Sequence, residues 1–442
     1  MLHGNDDGNP DRRQFLSVCA TLGVATVTAA ASSLGAKTMS QQAWPSTFPA
    51  LRQRVNGQPL IFLDSAATTL RPQSVIDALV DFYSTDNANP ARVHTLAGRA
   101  ADRLANARQT VARFINAADP AEIVFTRGST EGLNLIASTW AAANLRRGDE
   151  IVLTVAEHSS NLMPWTRVAS QAGANVRVVD VDDHGRVDPA AFQKQLSSRT
   201  RLAAFSHVSN VLGYVNPVSE LTALAKKAGA RVVIDGAQGA PHVKVDVREF
   251  DCDFYVFSGH KMLGPMGTGV AWARRDLLDA MPAYHVGSNM AHEVEFDNAS
   301  LEHGAQKFQA GTPDVAGPVG LAAAIRFFDA AGSEALRAHD DALVGRGLEV
   351  LQQIKGLRLI GPTTPDRRVP VFSFIVEGHS AISIAHALDQ QGIAVRAGDL
   401  AALPLLKRFG TPEAVRASAY VYSTPADLDR LAQGLRSLIK QG

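Results

Sequence analysis

Phe254-Tyr255-Val256-Phe257-Ser258-Gly259-His260-Lys261 is the stretch on which the reading of the fold turns. Its apolar, aromatic and β-branched run reads as a buried strand. Ser-Gly stops the run as a turn signal. The lysine falls where buried chain gives way to a loop. Partial desolvation there lowers its pKa, so its amine can be neutral and form a Schiff base. Taken alone, the octapeptide fits an ordinary exposed lysine better; the chain on either side reverses that.

Upstream, Arg231-Val232-Val233-Ile234-Asp235-Gly236-Ala237-Gln238 is a second short apolar strand, ending in a carboxylate. Ligands of open α/β sheets sit beyond the carboxyl ends of the strands, so Asp235 and Lys261 can face one crevice. A carboxylate for a pyridinium nitrogen and a lysine for an imine are the two groups pyridoxal phosphate (PLP) needs. A third stretch offers the phosphate site. Strand-like Ile123-Val124-Phe125-Thr126 is followed by Arg127-Gly128-Ser129-Thr130-Glu131-Gly132 and then by helix-like Leu133-Asn134-Leu135-Ile136-Ala137. A glycine- and hydroxyl-rich turn opening a helix presents free N–H groups to an anion.

With these stretches in view, the chain resembles the fold-type I PLP enzymes of the class V aminotransferase group, most of all the group II cysteine desulfurase and selenocysteine lyase branch. The matching residues are Phe62-Leu63-Asp64-Ser65-Ala66-Ala67-Thr68, His94-Thr95-Leu96, Phe125 to Gly132, Glu157-His158, His207 to Gly213, Ile234 to Gln238, the lysine strand and Ala310-Gly311-Thr312-Pro313. The resemblance implies roles. Lys261 carries the imine and acts as base at Cα. His158 stacks on the cofactor ring. Asn210 lies near the ring hydroxyl and the substrate carboxylate, and Gln238 donates to that hydroxyl. Ser129, Thr130, Ser258 and His260 surround the phosphate. Thr312 is donated to the phosphate of a partner subunit, which makes the expected assembly a homodimer. Arg416 clamps the substrate α-carboxylate, Arg396 assists, and the loop carrying His94 lies at the mouth of the site. A histidine held against a dianion has reason to stay protonated, which is the expectation for His260.

One loop departs from that family. Desulfurases of the branch carry Arg-x-Gly-His-His-Cys-Ala-x-Pro-Leu, and the cysteine takes up the sulfur. Here the stretch reads Arg396-Ala397-Gly398-Asp399-Leu400-Ala401-Ala402-Leu403-Pro404-Leu405. Ala401 stands in the cysteine's place, and a methyl group cannot act as the attacking thiolate. The expectation is therefore a PLP enzyme, transferase or lyase, acting at Cα of an amino acid or amino-acid-containing metabolite without persulfide transfer. The alternatives are a cysteine desulfurase, taking L-cysteine to L-alanine and sulfur, and an inactive PLP-fold binding protein.

Short apolar strands alternate with helices from Ile123 to Ile234, which implies a mostly parallel sheet covered on both faces. The expected architecture is a large α/β/α domain over 59–320, preceded by an arm at 41–58, and a smaller C-terminal α/β domain over 321–442. Helices are expected near 73–83, 97–114, 161–171, 189–196, 218–228, 319–331 and 333–353. The 442 residues carry 43 basic and 43 acidic side chains, so charge supplies no argument for a nucleic-acid or anionic-membrane partner. No Cys/His spacing suggests a metal. The partner implied is a small amino-acid or peptide substrate.

The N-terminus has its own pattern. Asp11-Arg12-Arg13-Gln14-Phe15-Leu16 precedes an Ala/Val/Thr-rich run to about Ala31, with small-residue cleavage candidates at Ala29-Ala30-Ala31 and Leu34-Gly35-Ala36. That is the layout of a signal peptide, and the paired arginines resemble a twin-arginine signal. The expectation is a bacterial periplasmic protein with residues 1–36 removed. Of the two cysteines, Cys19 lies in that segment and Cys252 remains, so no internal disulfide is expected in the mature chain.

Overall fold

Continuous apolar runs become central strands in the computed structural model, which describes residues 40–441. The expected signal segment, its cleavage site and Cys19 lie outside the described residues. Seven strands form the main sheet: β1 Ile123–Thr126, β2 Glu150–Thr154, β3 Asn175–Val179, β4 Thr200–Ser206, β5 Arg231–Asp235, β6 Phe254–Ser258 and β7 Gly269–Ala273. Their order is β1-β7-β6-β5-β4-β2-β3. The pairings from β3 through β6 are parallel, and β7 runs antiparallel to both β6 and β1.

Side chains of a strand alternate between faces, and the core divides accordingly. Tyr255 and Phe257 join Val232 and Ile234 in one hydrophobic layer, while Phe254 and Val256 join Val233 in the other. Both faces of the sheet are thus covered, as its lack of polar alternation requires. Helices Met163–Ala172, Pro189–Gln195 and Val218–Lys227 make the crossovers. The first ends at Gly173 in the left-handed region, φ 68°, where a glycine lacks the Cβ clash. Asp188 caps the second by accepting from the N–H groups of Ala190 and Ala191.

β7 escaped the sequence reading. Gly-Val-Ala-Trp-Ala is short, small and without alternation, so it carries no strand period of its own. It lies in the sheet because its backbone pairs with β6 on one side and β1 on the other, the short connection from β6 returning it in the opposite direction. The hairpin Ala291–Val294 with Ala299–Leu301 was missed for a different reason: its residues are largely exposed and show no hydrophobic pattern.

Two helices, Gln73–Thr85 and Thr95–Phe114, pack against Ala316–Ala331. Downstream, strands Leu357–Ile360 (β8), Val371–Val376 (β9), Arg396–Gly398 (β10) and Ala414–Ser418 (β11) form an antiparallel sheet of order β8-β9-β11-β10. Helices Ser333–Gln352, Ala381–Asp389 and Pro425–Gln441 accompany it. Ile61–Phe62, near the start of the described chain, pairs in parallel with Ile393–Ala394. No helix among the described residues is long and apolar enough to cross a membrane.

Candidate active site

The carboxyl ends of β4, β5 and β6 open on a cavity of about 490 Å³, within the usual range for a small-molecule site. Lys261 reaches it from a single 3₁₀ turn, Gly259–Lys261, directly after β6. The turn is pinned from outside: Thr69 N–H donates to His260 O at 2.9 Å, and Leu263 N–H donates to Thr69 Oγ1 at 2.9 Å. The Lys261 amine makes no hydrogen bond within the described chain. Burial lowers its pKa to about 8, with Asp235 pulling upward and Arg416 pushing down.

Asp235 closes β5 and is buried. Its Oδ1 accepts from Ala237 N–H at 3.0 Å. Burial raises its pKa, while that N–H and the Lys261 charge oppose the rise. Gln238 lines the same wall and donates to Ala66 O at 2.6 Å. His158 follows β2, and its Nδ1 accepts from Ser160 N–H at 3.0 Å, which assigns the ring proton to Nε2. Burial, then the charges of Lys261 and Arg416, lower its pKa to about 4.

At the other end, helix Ser129–Ile136 begins after Gly128, whose φ is 154°. A Cβ built on Gly128 would meet Ser258 Oγ at 3.3 Å. Ser129 N–H donates to Ser258 Oγ at 2.8 Å, and Thr130 Oγ1 donates to Ser160 Oγ at 2.9 Å. His260 lines this end as well. The expectation of a protonated His260 is not met in the chain alone: burial first, then Lys261 and Arg71, lower its pKa to about 4. The dianion that would reverse this belongs to the cofactor, not to the polypeptide.

Arg416 comes from β11 and is 4% exposed. One terminal nitrogen donates to Asn210 O at 3.1 Å, its Nε has no partner, and burial lowers its pKa to about 10. Arg396, half exposed on β10, forks onto Asp64 at 2.6 and 3.3 Å, while Asp64 also lies 3.7 Å from Arg416. The role of Asp64 was missed. Its signal was a carboxylate at the end of the short strand Ile61–Phe62; the pairing of that strand with Ile393–Ala394 and a bridge from Asp64 to Ser418 of β11 bring it beside two arginines.

Glu157 was also passed over. It is 1% exposed, accepts from Thr154 Oγ1 at 2.5 Å and from Asn161 Nδ2 at 2.7 Å, and burial raises its pKa to about 8. Asn161 is fully buried and also accepts from Trp165 Nε1 at 2.8 Å. Ser206 closes β4 and lines the cavity without having been singled out.

The loop over residues 396–405 is folded onto the rim. Ala401 O accepts from Ser159 N–H at 2.7 Å and from Ser159 Oγ at 2.9 Å, and Leu400 O accepts from Asn210 Nδ2 at 2.9 Å. Asp399, Leu400 and Ala401 all line the cavity. Two expected site residues lie elsewhere in this chain. His94 is exposed and caps helix Thr95–Phe114, accepting from Ala97 N–H at 3.2 Å. Thr312 lines a separate cavity with Thr126, Arg127, Thr268 and Asp314.

The residues present fit PLP. A helix N-terminus, three hydroxyls and an imidazole gather at one end of the cavity, a carboxylate and an imidazole line its middle, and an unpaired amine stands between them. Among the described residues no cluster of His, Cys, Asp and Glu is placed to hold a metal.

Residues 61–431 match the family model described as aminotransferase class-V. The chain belongs to that family, and its cofactor is pyridoxal 5′-phosphate. It is 45% identical over 392 residues to the cysteine desulfurase of Synechococcus elongatus, covering 88% of this chain and 62% of that protein. It is 42% identical over 397 residues to the cysteine desulfurase of Serratia proteamaculans, covering 89% of this chain and 97% of that one. Among solved structures, the cysteine desulfurase CsdA of Escherichia coli superposes with a TM-score of 0.84 at 35% identity, over 91% of this chain and 99% of that chain. These comparisons overturn the expectation of a reaction at Cα that leaves sulfur aside. The likeness spans about nine-tenths of the chain, and a single loop does not outweigh it.

Proposed function

We propose that this protein is a PLP-dependent cysteine desulfurase that takes L-cysteine to L-alanine and sulfur, works as a homodimer and is exported to the bacterial periplasm by a twin-arginine signal. The likeness to proteins named cysteine desulfurase over about nine-tenths of the chain carries the reading. Once bound, PLP supplies a carbonyl that takes up an amine and a ring that accepts electrons. The chain supplies the rest. Arg416, buried and with Nε unpaired, receives the substrate carboxylate through a forked pair of hydrogen bonds. Asp64 holds Arg396 beside it. The amine of Lys261, already partly neutral near pH 7, carries the proton to and from Cα. Neutral His158 lines the cavity and presents Nε2–H to it.

The departure at Ala401 stays part of the reading: this member of the family lacks a thiol on the loop where its kin carry one. Purified holoprotein given L-cysteine should form L-alanine; no alanine above the enzyme-free control ends the proposal. Thr312 supports the homodimer, because it lies away from this chain's own cavity and is free to serve another. A monomeric mass in sedimentation, with full PLP occupancy, would remove that part. Changing Arg12 and Arg13 to lysine should hold the protein in the cytoplasm, as fractionation would show.

A further inference from the structure

We propose that sulfur leaves this site on a diffusible thiol that enters the cavity as a second substrate, in place of a cysteine of the chain. The inference rests on the desulfurase reading above. No cysteine lines the cavity among the described residues. At the loop position facing it stands Ala401, and the loop is tied down on both sides. Ser159 holds the Ala401 carbonyl twice, Asn210 holds Leu400, and Asp399 accepts from Ala401 N–H at 3.0 Å and from Ala402 N–H at 2.9 Å. Leu400 and Ala401 both sit at φ 52°, a left-handed conformation that these contacts maintain.

Cys252 cannot stand in. It precedes β6 while Lys261 follows it, and the five-residue strand between them spans roughly 16 Å at about 3.3 Å per residue. Its side chain is 1% exposed and borders a different cavity with Glu122 and Arg274. Burial, reinforced by Asp253, holds its thiol far above the ordinary pKa, so it supplies no thiolate. The site cavity, by contrast, suits an incoming thiolate. Lys261, Arg416 and Arg396 line it, with Asp235 on the floor and Asp399 at the rim as the opposing charges. Cationic neighbours favour the thiolate form.

The step balances without an oxidant or reductant. The acceptor thiolate attacks Sγ of the bound cysteine, the S–S bond forms and the Cβ–Sγ bond breaks. The bonding pair remains on Cβ, which takes a proton equivalent to the one the acceptor lost. The products are alanine and the acceptor persulfide. A second molecule of cysteine is chemically able to serve.

The test uses full-length holoprotein, L-cysteine and 2-mercaptoethanol as the probe. Alanine formation should rise several-fold with added thiol, the new persulfide should appear on that thiol, and the protein, alkylated and weighed, should carry no added sulfur. A C19S/C252A double variant that keeps the visible absorbance of bound PLP should behave like the parent. A401C should do the reverse, taking sulfur onto the introduced thiol and losing the dependence on added thiol. Alanine formed at a rate indifferent to thiol, with sulfur on a cysteine of the parent chain, overturns this inference and leaves the function standing. Absence of alanine in every arm overturns both.

Discussion

Lys261 and Asp399 line the same cavity, yet they are held in unlike ways. Lys261 stands where a fully buried strand runs out, in a turn clamped by Thr69. Asp399 sits exposed on a turn of the rim, held only through its own loop. Burial has moved Lys261, Asp235 and His158 away from their ordinary ionisation. At the rim, Arg396 meets Asp64 with half its side chain in water. The floor is therefore where single changes should be severe, because a buried group has no solvent to fall back on. The rim, partly in water, is where single changes should cost the fold little.

Breaking the floor should give the largest effects. Lys261→Ala should abolish the visible absorbance of lysine-bound PLP and lower turnover by about 10²–10⁴-fold or more, read by absorbance and alanine release. Asp235→Ala removes one member of a buried charge pair with the cofactor, a loss of roughly 2–5 kcal/mol, and PLP titration should show correspondingly weaker binding. Arg416→Ala should raise KM for cysteine by about 10²-fold with a smaller change in kcat; an unchanged KM would mean the carboxylate is held elsewhere.

A pH series sharpens the comparison further. The pKa of Lys261 is lowered to about 8, so the neutral amine that captures PLP grows as pH rises and is fully present above that value. Capture by the apoprotein, followed by stopped-flow absorbance, should accelerate from pH 6 through 8, where about half the amine is neutral, and level off about one unit higher. Acceleration continuing to pH 10 would place the lysine at its ordinary value. The smallest effect belongs to the rim. Arg396→Ala breaks a half-exposed ion pair, and such pairs contribute about 0–1 kcal/mol, so cysteine KM should shift by less than about fivefold. A larger shift would show that the rim binds substrate directly.

The same division decides what could be read from the sequence. Floor residues announce themselves because each ends a short apolar strand or opens a helix: Asp235, Lys261, Ser129 and His158 were all legible from local pattern and resemblance. Glu157 and Asn161 were not, since a buried polar network inside a turn looks like ordinary capping residues until its burial is known. Asp64 depended on a contact with residues more than 300 positions away, and no local pattern encodes that. His94 serves a helix N-terminus within this chain, a role that leaves no mark distinct from a site histidine. Overall likeness corrected the function, where too much had been drawn from one loop.

The pairing of Ile61–Phe62 with Ile393–Ala394 sets a condition on biosynthesis. Asp64 emerges from the ribosome more than 300 residues before Arg396 and Arg416. The substrate-binding corner therefore cannot assemble on a nascent chain, however well the sheet has formed by then. If the export signal is read as proposed, the machinery that carries folded protein must wait for the strands that carry both arginines, and a product cut before them would present a cofactor floor with no means of gripping an amino acid.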